Sequence, residues 1–216
     1  MRQSYDQELE GLRTELLRMG DLVGKAIEDA VQSLAKQDEE LAKKVIAGDD
    51  VIDRLEIEIE DKCMVLIARQ QPLARDLRII STGLKITTDL ERMGDHAFDI
   101  AKVTMRLSKQ PLIKPLVDIP RMAWMAQQML KDSLEAYMKL DIALAEQVCL
   151  ADNEVDDLYQ QVFRELLTYM MEDQRTIGQA TQLIFVGRYL ERIADHATNI
   201  AEWVIYLVTG QRLRKK

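Results

Sequence analysis

The stretch DLERMGDHAFDIA, residues 89–101, returns one hundred residues later as YLERIADHATNIA, residues 189–201. Both histidines of the chain, His96 and His196, occupy the same place in the two copies. A unit written twice must be one supersecondary structure used twice, so this repeat constrains the fold more than any local propensity. The repetition extends upstream: Asp38, Leu41, Ala42, Val45, Asp49, Asp53 and Leu55 return as Asp141, Leu144, Ala145, Val148, Asp152, Asp156 and Leu158, displaced by 103. The change of offset from 103 to 100 places a three-residue loss near Pro72, in RQQPLARDL, which reads as a turn between two helices.

Apolar residues spaced three and four apart predict three helical stretches per copy. In the first they run over 4–47, with a break at Asp38, then 50–70 and 74–107; in the second over 120–151, 154–172 and 177–208. The segment SKQPLIKPLVDIP, 108–120, holds three of the four prolines and reads as a linker. The organisation is a first three-helix repeat over 1–107, a linker over 108–119 and a second repeat over 120–216. Gly210 stands where a C′ glycine would end the last helix, with the tail QRLRKK beyond it. With aromatics at 5% and 47% hydrophobic residues, the expected fold is all-α, two tandem and similar three-helix bundles packed side by side.

A net charge of −8 repels a phosphate backbone and argues against nucleic acid as a partner. Cys63 and Cys149 form no C-x-x-C pair, and neither a leader nor an apolar run near membrane-spanning length is evident, which predicts a soluble cytoplasmic protein with reduced thiols.

On a helical wheel with Glu91 at zero, Asp95 falls at about 40° and Asp99 at about 80°, opposite a core face of Ile86, Met93, Ala97 and Ile100. His96 falls at about 140°, on the flank. Like charges at i and i+4 repel by about 0.2–0.5 kcal/mol, so a helix chosen for stability alone would alternate signs. The spacing nevertheless returns as Glu191 and Asp195, with Arg92 and Arg192 placed to offset part of the repulsion. An oxygen-rich metal site on these E-x-x-x-D faces accounts for the repeated stripe better than a solvated surface. A second acidic set repeats on the preceding helix. Asp49 and Asp152 read first as N-caps and second as ligands, whereas Asp53 and Asp156 read equally as ligands or solvated side chains. For His96 and His196 the flanking position favours an interhelix hydrogen bond over metal ligation. Glu56 and Glu60 extend the stripe in the first copy, but Tyr159 and Phe163 replace them in the second, so the two halves should not be equivalent.

No catalytic constellation is evident. A di-iron bundle needs Glu-x-x-His, and Gly94 and Ala194 stand at the i+3 positions. No phosphate-cradling glycine loop occurs, and both cysteines align with apolar positions.

The signature L-E-R-[MI]-[GA]-D-H-A-x-[DN]-I-A, once per repeat, resembles the PhoU family of phosphate-response regulators. It is carried by Leu90, Glu91, Arg92, Asp95, His96, Ala97, Ile100 and Ala101, and by the same types from Leu190 to Ala201. The resemblance implies a cytosolic, non-enzymatic protein, often a homodimer, that holds the phosphate-starvation response off when phosphate is plentiful. It implies partners too: the ATPase of a phosphate-specific ABC transporter and a sensor histidine kinase, hence peripheral association with a membrane complex. It further implies iron or zinc clusters, or Mg²⁺ or Mn²⁺, on Glu91 and Asp95 and on Glu191 and Asp195. Asp99 is a third candidate in the first bundle, while Asn199 replaces it in the second. The alternatives are a metal-storage or hydrolytic carboxylate metalloprotein, and an accessory protein of a different phosphate transporter. The tail QRLRKK could lie on an anionic membrane face or simply be a solubilising terminus.

Overall fold

The computed structural model describes residues 2–212, with the side chains of residues 2–4 and 6 not described; most of the basic tail, 213–216, lies outside the described residues. The helices are α1 Arg2–Lys36, α2 Glu39–Gln70, α3 Arg75–Leu107, α4 Asp118–Lys139, α5 Ile142–Glu172 and α6 Ile177–Thr209. A single 3₁₀ turn, Gln174–Thr176, precedes α6, and no strand occurs among the described residues.

Leu12, Leu16, Met19, Val23, Ile27, Val31 and Leu34 on α1 recur every three or four residues and are all buried. This stripe faces α3, which runs parallel to α1. Ser33 and Thr104 share a buried hydroxyl hydrogen bond of 3.0 Å at one end, and Leu12 lies against Gly83 towards the other. α2 returns antiparallel between them, and α4, α5 and α6 repeat the arrangement. The bundles meet along two seams, α1 on α4 and α3 on α6, while among the described residues the backbones of α2 and α5 do not approach a helix of the other bundle. α3 and α6 are antiparallel: Asp89 reaches His196, and Arg106 donates to Gln182 at 3.0 Å. Two side-by-side three-helix bundles are therefore as expected.

The boundary between the first two helices of each bundle differs from expectation. α2 runs through Gly48, Asp49 and Asp50, and α5 through Asp152 and Asn153. The true N-caps are Asp38, whose carboxylate accepts from the Glu40 and Leu41 amides at 3.0 Å, and Asp141, which accepts from Leu144 at 3.1 Å. Asp49 and Asp152 are thus helix-interior residues and not caps. Burial of Val45, Ile52 and Leu55 on one continuous stripe outweighs the cost of about 1 kcal/mol for Gly48. Before each cap the chain turns on a non-glycine residue in the left-handed region, Gln37 at φ 53° and Leu140 at φ 55°, which is why no glycine or proline marked the break. Gln37 steadies its turn by donating from Nε2 to the carbonyls of Leu107 and Gln110.

Both α2–α3 and α5–α6 turns hold four residues, 71–74 and 173–176. The three-residue loss comes from helix ends, not from the turn at Pro72. α4 begins at Asp118, inside the segment read as linker, so Pro120 lies in its first turn, where no amide hydrogen is needed. The crossing is pinned by Gln179, whose amide donates to Pro111 O at 3.0 Å and accepts from the Ile113 amide. Gly210 caps α6 at φ 73°, as its position suggested.

Candidate functional site: two carboxylate grooves beside a histidine seam

Between α2 and α3 the helices come close because residue 94 has no side chain. A Cβ there would lie 3.2 Å from Ile52 Cδ1 and 3.8 Å from Asp49 Oδ1. In the second bundle Ala194 stands opposite Val155, so the added methyl is matched by one removed from the facing helix. This approach brings Asp49, Asp53 and Glu56 of α2 beside Glu91, Asp95 and Asp99 of α3. The stripe is sheltered at its glutamates and open at its aspartates: the Glu91 and Glu191 side chains are 19% and 13% exposed, Asp95 and Asp195 41% and 40%.

The first groove is electrostatically crowded. Burial, then repulsion from Asp95 and Glu56, raises the Glu91 carboxyl to about 7. Burial, then Asp53 and Asp95, raises Asp49 to about 6. Asp53, Glu56 and Asp99 are raised as well, by burial first. Arg92 lies 3.6 Å from Glu91 and 3.4 Å from Asp95, and Lys102 and Arg106 act on Asp99.

The second groove holds Asp152 and Asp156 on α5 and Glu191 and Asp195 on α6. Arg192 pairs with Asp195 at 3.3 Å, repeating Arg92 and Asp95. Arg188 adds a salt bridge to both oxygens of Glu191. Its counterpart in the first bundle is Thr88, whose hydroxyl donates to Leu84 O. Glu191 and Asp156 are still raised by burial, but Arg188 opposes both shifts. Tyr159 replaces Glu56, and Gly187 admits it: a Cβ at 187 would lie 3.1 Å from the Tyr159 ring. One groove thus sets more carboxylates against Arg92, while the other has a second arginine, Arg188, and an aromatic ring in place of a carboxylate.

The histidines lie between the grooves, on the α3–α6 seam. His196 Nδ1 is 2.9 Å from Asp89 Oδ1, which also accepts from Asn199 Nδ2 at 3.2 Å. That is the interhelix bond expected for these histidines. His96 lacks its equivalent, because Tyr189 stands where symmetry would place an aspartate. Its ring stacks on Tyr189 with centroids 5.7 Å apart and lies 5.8 Å from the His196 ring. Its Nδ1 is buried without a hydrogen-bond partner, and burial followed by His196 and Arg192 lowers its pKa to about 4. Sequence reasoning missed Asp89 and Arg188. The available signal was a break in the repeat, 88–89 reading Thr-Asp where 188–189 reads Arg-Tyr.

A family model for the PhoU domain matches residues 16–104 and again 119–204. The chain belongs to the PhoU family. The PhoU homolog of Clostridium acetobutylicum, named a phosphate-specific transport system accessory protein, is 47% identical over 213 residues, covering 98% of this chain and 97% of that one. The Escherichia coli PhoU protein of the same description is 38% identical, over 97% of this chain and 87% of its own. The crystal structure of Pseudomonas aeruginosa PhoU superposes with a TM-score of 0.92 at 42% identity, over 96% of this chain and all of that one. That of the phosphate transport system regulatory protein PhoU from Streptococcus pneumoniae gives 0.90 at 32% identity, over 98% of this chain and all of that one.

Each PhoU repeat thus contributes one groove, and the seam joins them. Among the described residues no three His, Cys, Asp or Glu side chains converge tightly enough to enclose an ion. The donor chemistry nonetheless fits a hard cation: an all-oxygen set in which burial and mutual repulsion raise Glu91 to about 7 and Asp49 to about 6, a repulsion that positive charge would relieve. Neither thiol suits soft-metal or nucleophilic chemistry, because burial raises Cys63 to about 12 and Cys149 to about 11. No helix among the described residues is long and apolar enough to cross a membrane.

Proposed function

We propose that this protein is a non-enzymatic, cytoplasmic negative regulator of phosphate uptake and phosphate-starvation signalling. It works as a homodimer that bridges the ATPase of a phosphate-specific ABC transporter to a sensor histidine kinase. The names of its relatives support the phosphate-transport setting and an accessory role.

The observation that carries the mechanism is the inequivalence of the grooves. In the first, Asp49, Asp53, Glu91, Asp95 and Asp99 would hold a divalent or ferric ion; in the second, Asp152, Asp156, Glu191 and Asp195 would do so in competition with Arg188. An ion held there would supply positive charge between the carboxylates of the two facing helices. The chain's own part is to set the α2–α3 spacing through Gly94 and Ile52, and to couple that spacing to the seam through α3, which carries Asp89 two residues before Glu91 and Asp95 one turn after it. Metal occupancy thereby biases the surface presented to partners. The test is a pull-down of the ATPase and the kinase by the parent and by Glu91→Lys with Glu191→Lys, each with and without chelator. The reading expects chelator to weaken docking of the parent and the variant to dock weakly in either condition. Docking insensitive to both would refute it.

A further inference from the structure

The chain is acidic overall, with a net charge of −8, yet one end of the molecule is at once basic and apolar. The α2–α3 turn and the last turn of α6 meet there: a Cβ on Gly210 would lie 3.5 Å from Arg78 Nη1. Residues 69–78 carry Arg69, Arg75 and Arg78 against the single carboxylate Asp76, and residues 203–212 carry Arg212 against none. Among the described residues Arg69, Arg75 and Arg78 form no ion pair. Arg78 Nε is buried without a hydrogen-bond partner.

Apolar groups protrude among these charges. Gln71 and Ala74 adopt φ of 45° and 47°, a region sparsely used by residues with a Cβ, and the turn they build leaves Leu73 81% exposed. Leu77 and Val208 are also exposed. Beside them opens a cavity of about 270 Å³, lined by Arg75 and Arg78 on one side and by Ile79, Leu140, Leu207 and Val208 on the other. One to two turns back along α6, the Arg212 guanidinium lies over Trp203 at 5.2 Å and Tyr206 at 5.7 Å.

We propose that this end docks on an anionic lipid bilayer, with the phosphate of an acidic phospholipid between Arg75 and Arg78 and Leu73 and Leu77 entering the boundary with the acyl chains. Charge complementarity selects the occupant: unpaired arginines in an otherwise acidic molecule attract anionic headgroups, each contributing about fivefold in partition. The exposed leucines and the Trp203–Tyr206 pair select a bilayer over a purely polar anion, because peripheral anchoring takes an apolar and an electrostatic signal together. This surface is distinct from the carboxylate grooves and independent of the partners proposed above.

The test is co-flotation of the full-length protein, with chelator present, on phosphatidylcholine vesicles and on vesicles mixed with phosphatidylglycerol. Binding is expected to the mixed vesicles alone and to weaken with salt. Arg69→Glu with Arg75→Glu should cut the partition by roughly tenfold or more, and Leu73→Ser with Leu77→Ser should reduce it separately. Inorganic phosphate at matched ionic strength should leave it unchanged. All four positions are exposed, so circular dichroism should show both variants folded. No binding to mixed vesicles, or binding that both variants retain, would overturn the proposal. Displacement by phosphate would instead make the cavity a site for the free anion. Loss of an acidic protein partner in the variants without any vesicle binding would make the patch a protein interface, and either result also overturns it.

Discussion

Replacing Glu91 by glutamine should stabilise the metal-free protein above neutral pH. The Glu91 carboxyl titrates near 7 in the fold against an ordinary value of 4.5, because burial and then Asp95 and Glu56 disfavour its charge. The folded protein therefore keeps a proton that the unfolded chain releases. The stability tied to that proton is full below pH 4.5 and is lost as pH rises through about 7. The full displacement corresponds to about 3 kcal/mol. With the side chain 19% exposed, solvent at the groove mouth reduces this to about 1–2 kcal/mol. For a chain of this length that raises Tm by about 4 °C. The assay is thermal unfolding followed by far-ultraviolet circular dichroism, with chelator, from below the ordinary value of 4.5 to above the folded value of about 7. Glu91→Gln should be neutral at the acid end and progressively more stable towards the alkaline end. Added Mn²⁺ should reverse the order, since the ion binds only the deprotonated parent groove. A variant less stable than the parent at alkaline pH without metal would refute the reasoning, because it would show that Glu91 is satisfied by partners inside the fold.

Arg188→Thr, which gives the second groove the residue found in the first, should cost about 1 kcal/mol in the metal-free protein and raise Mn²⁺ affinity at Glu191 and Asp195; unfolding with and without Mn²⁺ reads both. Asp38→Ala should lose about 1 kcal/mol as a cap, whereas Asp49→Asn should gain stability above pH about 6, and denaturant midpoints check the opposite signs. Gly94→Ala should be about 1 kcal/mol more favourable beside Ile52→Val than alone, since the pair then copies Ala194 and Val155; a double-mutant cycle measures that coupling.

The repeat made the architecture legible: two copies of one helical unit, each with a turn where Pro72 sits, leave little besides paired bundles. The acidic stripe was equally plain from the spacing of Glu91, Asp95 and Asp99. The break at Asp38 was legible and is where α1 gives way to α2, but periodicity hid the matching end of α4 and suggested a false boundary after residue 47. Gln37 and Leu140 enter the left-handed region with no compositional mark, and Gly48-Asp49-Asp50 imitates a terminus that burial of Ile52 and Leu55 overrides. The site was less legible than the fold, because its properties arise across helices. Asp89 meets His196 from 107 residues away, and a helical wheel carries no information on that distance in space. Arg188 and Tyr159 break the repeat, and a search for what recurs passes over such positions. The inequivalence of the grooves was announced by Tyr159 and Phe163, but its electrostatic basis needed Arg188 placed on Glu191.

The central claim is that the first groove is the stronger cation site because it has Arg92 but no second cation equivalent to Arg188. Calorimetric titration of chelator-stripped protein with Mn²⁺ tests it most directly, comparing the parent with Glu91→Gln plus Asp95→Asn and with Glu191→Gln plus Asp195→Asn. The account predicts that the first variant loses the tighter binding phase and that the second retains it. Binding lost only in the second variant, or a parent that takes up no Mn²⁺, Mg²⁺ or ferric iron, would contradict it.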